Sequence, residues 1–414
     1  MKVAPKLGFI APFYSLSQND PISSIHISPN PRMKTSLFHK RLSTDEKLAR
    51  NMASSSVYIH IPYCRKRCHY CDFAIMPIGN IDTEHSSSKF KSLDEKYCNT
   101  IIDEIALSTG IVHSMKNQTE TPNLNTVYFG GGTPSLAPES TLRAIMEALN
   151  ETYGINGINQ HNKESNNVKP EITIEMDPGT FTKSKLHSLF QMGFNRISLG
   201  VQSFHDPTLK RIGRVHRKKD ILDTIQMIRE EEQEYGYDVD LSIDLISGLP
   251  GVSLAQWVET LEFAVDVINP EHMSIYDLQV EEGTKFGKWY DNVDDEDEDD
   301  DCGTMDSTYD VKAPASIEKS INSLNKGGFI QPLPRASDCA FMYRYADGYL
   351  KSKGYEHYEI SSYAKKGKRS KHNSNYWDIG SEWYGKFSLF LVESLMVPIF
   401  RLNLLSDIAC FLFL

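Results

Sequence analysis

The stretch Tyr58-Ile-His-Ile-Pro-Tyr-Cys64-Arg-Lys-Arg-Cys68-His-Tyr-Cys71-Asp-Phe73 decides how this chain is read. Its three cysteines, spaced Cys-x3-Cys-x2-Cys, come directly after an apolar, β-branched run, which places them on a loop at the end of a strand. Thiolates are soft ligands that select iron-sulfur clusters, and three of them on one short loop can hold three corners of a cubane. The fourth iron is then left without a protein ligand and can bind a small molecule directly. Zinc is the competing reading. Structural zinc takes four ligands, usually as two spaced pairs, and no second Cys-x2-Cys occurs in the chain.

Outward from this loop, β-rich runs recur at residues 57–61, 126–129, 172–175, 196–199, 241–245 and 273–276. Segments with helical spacing lie between them, at 97–107, 140–149, 185–192, 220–232 and 255–267. Strand and helix alternating in this way predict a parallel sheet with right-handed crossovers. Six such units give an α/β fold, an open, partial (β/α)6 TIM-like barrel. Ligands of these sheets collect at the carboxyl ends of the strands, which is where the polar motifs of this chain fall.

Those motifs are Thr126-Val-Tyr-Phe-Gly130-Gly-Gly-Thr133, Glu171-Ile-Thr-Ile-Glu175-Met-Asp-Pro-Gly-Thr180, Arg196-Ile-Ser-Leu-Gly200-Val-Gln202 and Ile243-Asp244-Leu-Ile-Ser-Gly248-Leu-Pro-Gly251. With the cysteine loop, and in this order, they resemble the radical S-adenosylmethionine (SAM) superfamily, in its coproporphyrinogen III oxidase-like branch. The likeness runs from about Val57 to Trp377, and His372-Asn-Ser-Asn-Tyr376-Trp377 is similar to the His-Asn-x-x-Tyr-Trp signature of the HemW haem-chaperone group within that branch. The resemblance implies a 4Fe-4S cluster on Cys64, Cys68 and Cys71 whose open iron chelates SAM. It implies SAM contacts at Tyr58, Gly131, Gly132, Thr133, Glu175, Gln202, Arg214, Asp244 and Gln279, with Arg214 pairing the SAM carboxylate in bidentate fashion. From the residues alone, the glycines after residue 129 let backbone approach a ligand. His60 and His69 flank the cysteines and are read as structural.

His372 carries the haem expectation, because imidazole is an axial haem ligand and Tyr376 and Trp377 can stack on a porphyrin. Two functions follow from the resemblance. One is a haem chaperone that passes haem to an apo-haemoprotein. The other is an oxygen-independent coproporphyrinogen III oxidase acting on propionate side chains of a porphyrinogen, with catalytic residues unassigned. Oxidases of the branch carry a further cysteine two residues beyond the third, where this chain has Phe73, so the chaperone is favoured. Either function implies an electron donor of the flavodoxin or ferredoxin type.

Composition sets limits. The formal charge is −11, but nine of the residues from Asp291 to Asp301 are acidic, and without them the balance is −2. No electrostatic case for nucleic acid or an acidic membrane surface remains. The chain has seven cysteines, and Cys98, Cys302, Cys339 and Cys410 lack framework-like spacing, so they read as free thiols in a reducing compartment.

The radical SAM core is expected over residues 57–290. Residues 1–56 hold eight Lys and Arg against three acids and read as an organellar leader, chloroplast or mitochondrial, with Met52 as a start that would give a cytoplasmic form. Residues 291–334 read as an acidic, solvated insertion. Residues 335–386 read as the beginning of a C-terminal appendage, with a helix over 339–351 and 354–363 as a strand leading into a loop. The apolar tail 387–414 is broken by Glu393, Pro398, Arg401 and Asp407, a poor candidate for a membrane span. It reads as a divergent end that leaves the appendage incomplete.

Overall fold

The computed structural model describes residues 55–116, 124–155, 169–290, 330–377, 381–386 and 389–394. Residues 1–56, read above as a leader, and residues 291–334, read as an insertion, fall almost wholly outside these residues, as does most of the apolar tail.

Six strands run parallel and in chain order: β1 (Ser55–Ile61), β4 (Leu124–Gly131), β5 (Glu171–Met176), β6 (Arg196–Gln202), β7 (Asp240–Ser247) and β8 (His272–Asp277). Two short strands, β2 (Tyr63–Cys64) and β3 (Met76–Pro77), pair with each other beside them. Helices α1 (Ser88–Lys116), α2 (Glu139–Tyr153), α3 (Lys183–Gln191), α4 (Asp206–Arg211), α5 (Lys218–Tyr235), α6 (Leu254–Phe263) and α7 (Lys285–Tyr290) make the connections. Each of the six expected strands is present.

Alternation along the strands separates two faces. Val57, Ile59, Val127, Phe129, Ile172, Ile174, Ile197, Leu199, Leu241 and Ile243 are buried in one apolar core with the helices. The helices present matching stripes: in α2, Leu142, Ile145, Met146, Leu149 and Tyr153 recur at helical spacing and are all buried. Local signals fix the helix ends. Ser253 and Gln256 form a capping box on α6, and Gly236 ends α5 in the left-handed conformation at φ +70°. The intervening strand positions, Tyr58, Tyr128, Glu175, Ser198 and Asp244, line the other face and are polar. This is the face on which a site can be built.

Both edges of the six-stranded sheet are extended by later chain. Residues 354–363, expected as one strand and a loop, instead contribute β9 (Glu356–His357) and, ending just beyond them, β10 (Ser362–Ala364), an antiparallel pair whose second strand joins β8. Helix α8 (Ala336–Ser352) precedes them, as the 339–351 expectation required, and the short α9 (Lys371–Ser374) follows. At the opposite edge β11 (Ser381–Lys386) and β12 (Leu389–Ser394) form a hairpin, and β12 runs antiparallel to β1 from Ser55↔Glu393 to Ile59↔Leu389. The start of the apolar tail therefore has a backbone partner that its composition did not suggest. No helix among the described residues is long and apolar enough to cross a membrane.

Candidate functional site

The cysteine loop is closed by main-chain bonds at its base. Met76 N–H donates to Pro62 O at 2.7 Å, Ile78 N–H to Cys64 O at 2.8 Å and Gly79 N–H to Arg65 O at 3.0 Å. Inside it, the Arg67 guanidinium donates to the carbonyls of Cys71, Phe73 and Ile75, holding the outgoing strand in a fixed curve. Both histidines beside the cysteines are tied to carbonyls: His60 Nε2 lies 2.8 Å from Ala74 O, and His69 Nδ1 lies 2.8 Å from Arg211 O. Burial pushes the Cys64 thiol up to about 12 and the Cys71 thiol up to about 11. Cys64 Sγ sits 3.5 Å from Thr133 Oγ1, joining the loop to the end of β4.

The turn Gly130-Gly131-Gly132 is filled by the chain itself. A Cβ on Gly132 would come within 2.6–2.7 Å of the Pro62 and Tyr63 backbone, and one on Gly131, at φ +110°, within 2.5 Å of the His60 ring. These glycines let the turn pack closely against β1 and the cysteine loop. The Gly131 N–H points to Glu175 Oε2 at 2.9 Å, and Tyr128 Oη donates to Glu175 Oε1 at 2.8 Å. Burial nevertheless pushes the Glu175 carboxyl up to about 7. Asp244 accepts from Ser198 Oγ at 3.1 and 3.2 Å, and burial pushes it up to about 6. Two such carboxyls suit a cationic or hydroxyl-bearing ligand that would compensate their ionised form.

Arg214 follows α4 on the turn before α5 and is buried. Its Nη2 donates to Gly200 O at 2.8 Å and pairs with Asp177, and its Nη1 lies 3.5 Å from Cys68 Sγ. Thr133 Oγ1 donates to the other Asp177 oxygen at 3.3 Å. Gly200 leaves the space for this meeting, since a Cβ there would lie 2.8 Å from Asp177 Oδ1 and 3.1 Å from Gln202 Nε2. Gln202 itself is one of two non-glycine residues with positive φ among those described, at +67°. Such a conformation is strained and tends to mark ligand sites. Beside these groups opens a shallow cleft lined by Lys66, Cys68, Asp177, Thr180, Arg214 and His216 among others.

Sequence reasoning did not single out Asp177. The signal was available, because Glu175 and Asp177 are two apart at the end of β5 and so share a face. Two expected residues stand apart from the cluster of contacts. Gln279 is exposed on the loop after β8. His372 lies toward the amino ends of the strands and is 1% exposed, with Nδ1 2.8 Å from Thr126 Oγ1 and Nε2 3.2 Å from Tyr376 Oη. Both imidazole nitrogens are hydrogen-bonded within the protein.

Residues 58–264, half of the chain, match the model of the radical SAM superfamily. Among curated relatives, a "Heme chaperone HemW" of Synechocystis is 34% identical over 78% of this chain and 62% of its own length, and one of Bacillus subtilis is 30% identical over 80% and 68%. The chain thus spans somewhat under two thirds of the Synechocystis relative. A solved structure described as "Coproporphyrinogen III oxidase (HemN) from Escherichia coli is a Radical SAM enzyme" superposes with a TM-score of 0.51 at 19% identity, covering 77% of this chain and 57% of that one, a likeness of fold.

A radical SAM domain implies a 4Fe-4S cluster and SAM, and the residues present fit both. Among the described residues no three His, Cys, Asp or Glu side chains converge on one metal-ion position. A cluster instead offers separate irons to separate sulfurs. The Arg214 guanidinium beside Cys68 would offset thiolate charge on a ligated loop, and the two raised carboxyls suit a cationic ligand. Motif order, parallel barrel and cysteine loop agree, and the chain belongs to the radical SAM superfamily, in the HemW group of its coproporphyrinogen III oxidase-like branch.

Proposed function

We propose that this chain is a haem chaperone that carries a 4Fe-4S cluster on Cys64, Cys68 and Cys71, binds SAM at the mouth formed by β4 to β7, and delivers haem to an apo-haemoprotein. A cluster held by these thiols with one iron free of protein ligands would supply an electron to the sulfonium of a bound SAM. The chain's own residues place that ligand. Arg214, which reaches both Cys68 and Asp177, carries the reading: a ligand carboxylate arriving beside the cluster loop exchanges with Asp177 for a guanidinium already held in position. Glu175 takes the ligand's ammonium, and Asp244 and Gln202 face its hydroxyl groups. Tyr58, Gly131, Gly132 and Thr133 shape the wall, with Gln279 at the outer rim.

Haem capture at His372 requires Tyr376 or Thr126 to release a ring nitrogen, so the 370–377 segment must move when cargo binds. Phe73, 44% exposed at the place of the oxidases' additional cysteine, favours the chaperone over porphyrinogen decarboxylation. The electron donor is a flavodoxin- or ferredoxin-type protein.

The test uses anaerobically reconstituted protein. Added haem should give a shifted Soret band, and transfer to an apo-haemoprotein should follow. Coproporphyrinogen with SAM and reductant should be returned unchanged, and formation of protoporphyrinogen would overturn the assignment.

A further inference from the structure

Tyr128 stands between the two ends of the sheet's polar face. Its hydroxyl fixes Glu175 at the carboxyl ends of the strands, while its ring stacks on His372 toward the amino ends, with centroids 4.9 Å apart and planes inclined by 28°. Tyr58 also stacks on Tyr128, with ring centroids 5.8 Å apart and an 18° interplanar angle.

His372 is itself locked. Thr126 and Tyr376 hold its two nitrogens, and its main-chain N–H donates to Glu171 Oε1 at 2.9 Å. Asn375 Nδ2 reaches Ser56 Oγ at 2.7 Å, so the segment is fastened to β1, β4 and β5 together. A change in the setting of the His372 ring is therefore passed to a ring that has little freedom except to shift its hydroxyl. That hydroxyl is one of the two donors orienting Glu175.

We propose that Tyr128 is a positioning residue that couples the His372–Trp377 segment to Glu175, so that release of His372 alters the affinity of the barrel mouth for an ammonium-bearing ligand. The inference rests on the reading of Glu175 as the ammonium contact and is independent of the cargo's identity. Coupling of this kind is reciprocal, so filling the mouth also biases the setting of His372.

The experiment is a double-mutant cycle on SAM affinity, measured by equilibrium dialysis of labelled SAM against reconstituted full-length protein with iron content determined for every sample. Tyr128→Phe keeps the stack and removes the hydroxyl, and should weaken SAM binding roughly tenfold at unchanged iron content. His372→Ala should change SAM affinity by about threefold or more in the Tyr128 background and by less than about twofold in the Tyr128→Phe background. His372→Gln, which keeps a polar group in the cavity, gives the same comparison should the alanine variant fail to fold. An equal effect of the His372 changes in both backgrounds, or none in either, overturns the coupling. Loss of SAM binding by the wild-type protein at full iron content would instead overturn the reading of the mouth, and the coupling with it.

Discussion

The Nη1 atom of Arg214 lies 3.5 Å from the Sγ atom of Cys68, although the two residues belong to different βα units. A single cation thereby serves the cysteine loop and the barrel mouth together. Removing it should be felt at both. Arg214→Gln should weaken SAM binding about 10- to 100-fold, the range expected for loss of a charge-assisted pair. Equilibrium dialysis on reconstituted protein measures this, and an unchanged affinity would remove Arg214 from the site.

Cluster ligation separates the cysteines into two classes. Cys68→Ala should abolish the visible absorbance that accompanies about four irons per chain after reconstitution. Cys98→Ala, in the buried face of α1, and Cys339→Ala, on α8, should retain it. Iron analysis and the absorption spectrum decide the matter, and full loading of the Cys68 variant would refute the ligand set.

Gly131→Ala combines a positive φ with a Cβ placed 2.5 Å from the His60 ring. The expected cost is about 2–3 kcal/mol of stability. Urea denaturation should show a lower midpoint, whereas the same change at Gly348, whose Cβ would meet open space, should be tolerated.

Burial holds the His372 imidazole down to about 3, against about 6.5 in an unfolded chain. Between those values the unfolded chain binds a proton that the folded one does not. Stability should therefore be fully present above pH 6.5 and decline as the pH falls toward 3, by about 1.4 kcal/mol per pH unit for this proton. His216 and His272, also depressed by burial, act in the same direction, whereas the raised Glu175 and Asp244 carboxyls act in the opposite one. The His372 contribution is therefore read as the difference between variants. His372→Asn should flatten the slope by one proton, and urea midpoints at pH 7 and pH 5 would reveal an unaltered slope if the assignment is mistaken.

The six parallel strands were legible because each is a short β-branched run bounded by turn residues, and the helices because apolar positions recur at their period. The helix over 339–351 was legible for the same reason. Pairing across long sequence separations was not. Nothing local in Leu389–Ser394 indicates that it runs beside β1, and the division of 354–363 into two strands depends on β8 offering an edge. At the site, the thiols, Glu175, Arg214 and Asp244 could be named from motifs, but Asp177 emerged only when its partner was placed. His372 shows the converse. Its motif pointed to a ligand, while packing against Thr126 and Tyr376 gives both nitrogens internal work.

The antiparallel seam between β1 and β12 joins the earliest described strand of the sheet to the latest. On a ribosome, β1 would emerge long before the residues that cover its flank. Until β12 has been made, that flank offers unsatisfied amides to any passing strand, a setting in which nascent polypeptides cross-pair or enlist holdases. Translation pauses between these two strands would lengthen that interval of vulnerability.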